Sequence, residues 1–88
     1  MPNSVFLSRQ AEKFLTTLRD AELYRRLRQA IDGLKDNARP DGCVKLTGSS
    51  DMLRIRVGDY RIIYQVRKTE LAVLVVSIGH RREVHRTR

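Results

Sequence analysis

Hydrophobic positions along the chain follow two different periods. From Ala11 to Leu18 the apolar residues Ala11, Phe14, Leu15 and Leu18 recur at i, i+3, i+4 and i+7, while Arg9, Glu12, Lys13 and Arg19 fall outside that stripe. This spacing turns one apolar face of a helix toward a core. Ser8 stands at the N-cap position, with a hydroxyl that can accept a bond from an otherwise unpaired amide of the first turn. Asp20 offers the same acceptor to a second helix, whose stripe is Leu23, Leu27, Ala30, Ile31 and Leu34 and which the string Asp36-Asn37-Ala38-Arg39-Pro40 ends. A short β segment at Ser4 to Leu7 is expected first, then these two helices as a hairpin. Gly33 inside the second helix costs up to about 1 kcal/mol against alanine, which leaves two readings open, close packing at that point or an early fraying end.

From Asp41 the period changes to two. Leu53, Ile55 and Val57 alternate with Arg54 and Arg56, the pattern of a strand with one buried face. Gly58-Asp59 then fits a two-residue type II′ turn, which needs glycine first and matches the twist of the flanking strands. That loop length fixes the register: Val57 opposite Tyr60, Arg56 opposite Arg61, Ile55 opposite Ile62 and Leu53 opposite Tyr64. One face collects Leu53, Ile55, Val57, Tyr60, Ile62 and Tyr64, and the tyrosines read as packing residues. The other face collects Arg54, Arg56 and Arg61. Like charges opposite each other on neighbouring strands are destabilising, so the pattern makes sense with an anion that neutralises it.

After a turn around Lys68-Thr69, the run Leu71 to Ile78 is almost continuously apolar, as for an interior strand covered on both faces, and Gly79 is expected to end it. The tail HRREVHRTR follows, its arginines and histidines crowded around Glu83 and Val84, and is expected beside the strand arginines. Residues 1–88 therefore read as one α+β domain: a short N-terminal strand and a helix hairpin packed on one face of a mainly antiparallel sheet, with a short basic C-terminal tail.

Charge sharpens the question of a partner. Eighteen Lys and Arg stand against 10 Asp and Glu, a formal net charge of +8, the footprint of a protein that meets a nucleic acid or a strongly acidic protein. Arginine dominates in the C-terminal half, and its planar fork suits phosphate. The single Cys43 can form no internal disulfide, no charged-then-apolar leader precedes the first element, and the longest apolar run, Leu71 to Val76, is far too short for a membrane span. A cytoplasmic protein without membrane attachment is expected. His80, His85 and Cys43 are too few for a structural zinc site, Cys43 has no neighbour in sequence that would activate it, and a glycine-rich phosphate loop is absent.

The stretch Leu53-Arg54-Ile55-Arg56-Val57-Gly58-Asp59-Tyr60-Arg61-Ile62-Ile63-Tyr64, followed by a hydrophobic strand and Ile78-Gly79-His80-Arg81-Arg82-Glu83-Val84, closely resembles the RelE branch of the RelE/ParE toxin superfamily. Lys45-Leu46-Thr47-Gly48 also looks like that family's K-L-x-G, and the resemblance covers essentially the whole chain. It implies the toxin of a type II toxin–antitoxin pair: an endoribonuclease that enters the ribosomal A site and cuts mRNA there, without metal or other cofactor. A cognate antitoxin, acidic and partly disordered, would hold it inactive in a hetero-oligomer. In the implied chemistry the mRNA 2′-hydroxyl attacks the adjacent phosphorus, which calls for a proton acceptor, cations around the phosphorane and an acid for the leaving oxygen.

Carried over by position, Arg54 and Arg56 stand where the family often has two lysines that bind the backbone and assist the attacking hydroxyl. Arginine supplies the charge but is a poor base, since its pKa exceeds 12. Arg61 and Arg81 match the arginines that would stabilise the pentavalent phosphate. Where the family often has Glu-Val-Tyr this chain has Glu83-Val84-His85, and His85 is the candidate acid or base, since a histidine side chain ordinarily exchanges a proton near neutrality. Lys45, His80 and Arg82 join Arg54 and Arg56 as candidate RNA contacts, although His80 also reads as a simple loop residue and Tyr24 as a packing or antitoxin contact. Two other functions compete on the same scaffold: a ParE-like inhibitor that binds DNA gyrase, and an inactive homologue that keeps only antitoxin binding.

Overall fold

The computed structural model describes residues 3–46, 48 and 51–80. In chain order the elements are β1 (Ser4–Leu7), α1 (Arg9–Thr17), α2 (Ala21–Gly33), β2 (Val44–Lys45), β3 (Met52–Val57), β4 (Tyr60–Arg67), a single 3₁₀ turn at Lys68–Glu70, and β5 (Ala72–His80). Both helices start where the caps predict: Ser8 Oγ accepts from Ala11 N at 3.1 Å and Asp20 Oδ1 from Leu23 N at 3.1 Å. Each such cap satisfies a donor that the helix itself leaves unpaired.

The described strands form one five-stranded sheet in the order β1-β5-β4-β3-β2. Only β1 runs parallel to its neighbour β5; the other three pairings are antiparallel. The β3–β4 hairpin has the register that the two-residue loop dictates, with Val57 opposite Tyr60, Arg56 opposite Arg61, Ile55 opposite Ile62 and Leu53 opposite Tyr64. Gly58 has φ +61° and Asp59 does not share a positive φ, as a type II′ turn requires.

Leu15, Leu27, Ile31 and Leu34 from the helices meet Leu53, Ile62, Tyr64, Val73, Val75 and Ile78 from the sheet in a single buried cluster. Tyr60 and Phe14 pack at its margin, ring edge to ring face, with centroids 5.9 Å apart. Tyr64 is fully buried and donates its phenol hydrogen to Ala38 O at 2.7 Å, tying the segment after α2 to the middle of the sheet. That burial pushes the phenol pKa well above the ordinary tyrosine value, with Cys43 adding to the effect.

Three expectations need correction. Leu71 lies outside the last strand, exposed and left-handed at φ +50°, because the chain must turn there from the 3₁₀ turn into β5. Gly79 does not end β5: the ladder runs on to His80 because Tyr60 and Arg61 supply backbone partners opposite His80 and Gly79. The strand is also less covered than its sequence suggests, since Leu74 and Val76 are only half-buried. Gly33 is the last residue of α2, and a Cβ placed there would meet nothing within 4 Å. Close packing therefore does not explain it. Tyr24 is exposed, which removes the packing reading for that residue.

Candidate nucleic-acid interface

Strand alternation lifts Arg54, Arg56 and Arg61 onto the sheet face opposite the core, and the hairpin register sets Arg56 directly across from Arg61. Arg61 is in turn opposite Gly79 on β5, a position without a side chain. Arg61 is half-buried with its Nε enclosed, whereas Arg56 is exposed. The ion pairs of the described residues join Arg25 to Glu22, Arg28 to Asp32 and Arg67 to Glu70. Arg54 and Arg56 are in none of them. Two arginines paired in register across one rung, with Arg54 on the same face, concentrate positive charge on this side of the sheet, the kind of potential on which anion binding draws.

Arg56 folds back over the hairpin turn, its Nε donating to Gly58 O at 3.1 Å. Another arginine reaches the same turn from α2. The Arg26 guanidinium lies against Gly58, with both terminal nitrogens 3.6 Å from the point where a Cβ would stand. Sequence reasoning missed Arg26, since its phase in α2 marks it only as off the apolar stripe and no local signal brings that helix over the turn.

The end of β5 is fixed from the N-terminal side. Ser8 N donates to Val75 O at 2.9 Å and Ser8 Oγ donates to Val76 O, so one residue caps α1 and continues the β1–β5 ladder. Two residues on, the Gln10 side-chain amide donates from Nε2 to Ile78 O and accepts from Ile78 N through Oε1, both at 3.0 Å. The chain leading into Gly79 and His80, beside Arg61, is thereby held in place.

Two candidates part from the arginine face. Lys45 is paired in register with Leu53 and so sits on the helix side of the sheet edge, not with Arg54. His80 is the last residue of β5 rather than a loop residue, and its ring meets Tyr60 edge to face at 5.3 Å on the helix side. The pairing alternation that raises Arg54 and Arg61 necessarily turns these two away. Arg81, Arg82 and His85 lie outside the described residues, as does Thr47 of the K-L-x-G stretch. Among the described residues no three His, Cys, Asp or Glu side chains converge as metal ligands, and no helix is long and apolar enough to cross a membrane.

The family described as ParE toxin of type II toxin–antitoxin system, parDE, matches residues 5–85. No curated protein matches the chain. Among solved structures, the archaeal RelE–RelB complex from Pyrococcus horikoshii OT3 is 31% identical, covers 92% of this chain and 97% of its own, and superposes with a TM-score of 0.79. The intact E. coli RelBE toxin–antitoxin complex is 24% identical over 89% of this chain and 95% of its own, with a TM-score of 0.75. The isolated E. coli RelE toxin is 22% identical over 98% and 99%, with a TM-score of 0.76.

Proposed function

The chain belongs to the RelE/ParE superfamily of type II toxin–antitoxin toxins, on its RelE-like branch, and on that premise we propose that it is a metal-independent endoribonuclease that cleaves mRNA in the ribosomal A site and so stops translation. The observation that carries this reading is the Arg56–Arg61 juxtaposition, two cations across one rung of an otherwise ordinary sheet face. A phosphodiester on this face meets Arg61 at the reacting phosphorus and Arg56 on the adjoining backbone, cations that offset the charge building up on a phosphorane. The RNA 2′-oxygen attacks phosphorus and loses its proton. The bond to the 5′-oxygen breaks, and that oxygen gains a proton, leaving a cyclic phosphate and a 5′-hydroxyl. Arg61 and Arg81 serve the phosphorane, Arg54 and Arg56 hold the backbone, and His85 transfers a proton.

The inhibitory partner in this proposal is an acidic antitoxin that folds over the basic surface, its charge complementary to the excess of arginine. The RelE–RelB and RelBE pairings of the similar structures support it. One observation favours a second reading. The matching family is described by ParE, and a ParE-like toxin would use the same face against DNA gyrase.

Controlled expression of the chain with simultaneous labelling of protein, RNA and DNA separates the two. The ribonuclease reading expects protein synthesis to stop first, with new mRNA 5′ ends inside reading frames that weaken by about 10²-fold or more in Arg61→Ala and Arg81→Ala. DNA synthesis failing first without new ends would establish the gyrase reading instead.

A further inference from the structure

Beside the arginine face, a groove of about 280 Å³ opens between α2 and the outer edge of β3, with Arg56 at its rim. The strand β2 pairs with β3 only at Leu53 and Arg54, so the edge from Ile55 to Val57 borders this groove rather than another strand. Its apolar surface comes from Ala30, Ile55 and Val57, and its floor is widened at Gly33, whose missing side chain leaves open space. Gln29 and Asp41 add an amide and a carboxylate to the walls. On α2, Arg26, Gln29, Ala30 and Gly33 fall at i, i+3, i+4 and i+7, one stripe that runs from the hairpin turn along the groove. At the head of that stripe Arg26 and Arg56 both touch Gly58. Among the described residues the Arg26 guanidinium has no carboxylate partner.

We propose that this is a nucleotide subsite: a phosphate of single-stranded RNA is held by Arg26 and Arg56 over Gly58, and the adjoining base lies in the α2–β3 groove. The inference rests on the ribonuclease reading and extends its RNA path from the open sheet face around the β3 edge onto α2. Two exposed arginines at the mouth favour a polyanion over an uncharged apolar peptide, because guanidinium forks bind phosphate through charge-assisted hydrogen bonds. The volume sits near the lower end of small-ligand sites, about 300 Å³. It suits one planar base with hydrogen-bonding edges and is too small for a helix. Gly58 lets the backbone and the Arg26 fork approach the phosphate together, as a side chain there would stand between them.

The test is fluorescence anisotropy of the full chain with a labelled single-stranded RNA whose 2′-positions are methylated so that it cannot be cut, titrated across salt. Arg26→Gln is expected to lower the steepness of the log affinity against log salt plot by about 0.7, the value of one single-strand phosphate. Arg25→Gln, which removes a cation already paired with Glu22, leaves the plot nearly unchanged. Gly33→Leu fills the groove and weakens binding about tenfold without altering that steepness or lowering the melting temperature. An unchanged slope in Arg26→Gln, or unchanged affinity in Gly33→Leu, overturns the subsite while wild-type RNA binding leaves the ribonuclease reading standing. No binding of RNA by the wild type overturns both. If either variant loses antitoxin affinity and keeps RNA affinity, the groove belongs to the protein partner and the proposal is withdrawn.

Discussion

Gln10 and Ile78, 68 positions apart, are joined by two hydrogen bonds of 3.0 Å in which one side-chain amide serves both polar groups of a strand residue. Beyond Leu7 the strand β1 has ended and α1 has begun, so Ile78 would otherwise face a helix with its amide and carbonyl unpaired. The glutamine substitutes for the missing strand. An unsatisfied buried group costs about 1–3 kcal/mol, which makes this contact large beside its single residue of sequence.

Gln10→Ala is therefore expected to destabilise the fold by about 1–3 kcal/mol and to speed hydrogen exchange at Ile78, Gly79 and His80 more than at Val73. Gln10→Glu, which keeps an acceptor for Ile78 N but offers no donor to Ile78 O, should restore only part of the protection. Uniform acceleration along β5 would show a global loss of stability in place of a local clamp.

The Arg56–Arg61 pair sets stability against ligand binding. Arg56→Thr relieves a cross-strand repulsion worth about 0.2–1 kcal/mol and places a good strand former on an exposed position. At low ionic strength its melting temperature is expected to rise, and the gain should shrink in about 1 M salt, where the Debye length falls to about 3 Å. RNA cleavage should fall in the same variant by about 10²-fold or more. A lower melting temperature at low salt would mean that the pair is already neutralised in the folded chain.

Tyr64 predicts the alkaline limit of the fold. Its phenol pKa is raised by burial, so the folded chain holds that proton more tightly than the unfolded one. The stabilisation is complete below the unfolded value of about 10 and is lost as pH rises above it. Tyr64→Phe removes the bond to Ala38 O and is expected to cost about 0.5–1.5 kcal/mol at neutral pH. Urea titrations from pH 7 to 11 should show the gap between wild type and variant closing above about pH 10; a constant gap would place the alkaline loss elsewhere.

Local chemistry made much of this protein legible before any coordinates. Ser8 and Asp20 cap the helices they precede because an oxygen acceptor at that position is decided within three residues. Gly58-Asp59 settled which residues of β3 and β4 oppose each other, since a two-residue turn admits one register and strand alternation then sorts arginines from core. Tertiary structure decided what depends on elements far apart in the chain. The parallel docking of β1 on β5 brought Gln10 to Ile78, the pairing of Lys45 with Leu53 turned that lysine from the arginine face, and the seating of α2 brought Arg26 to Gly58. None of these follows from periodicity, because each is set by how faces pack, and a buried face fixes its partner only when the whole sheet order is known.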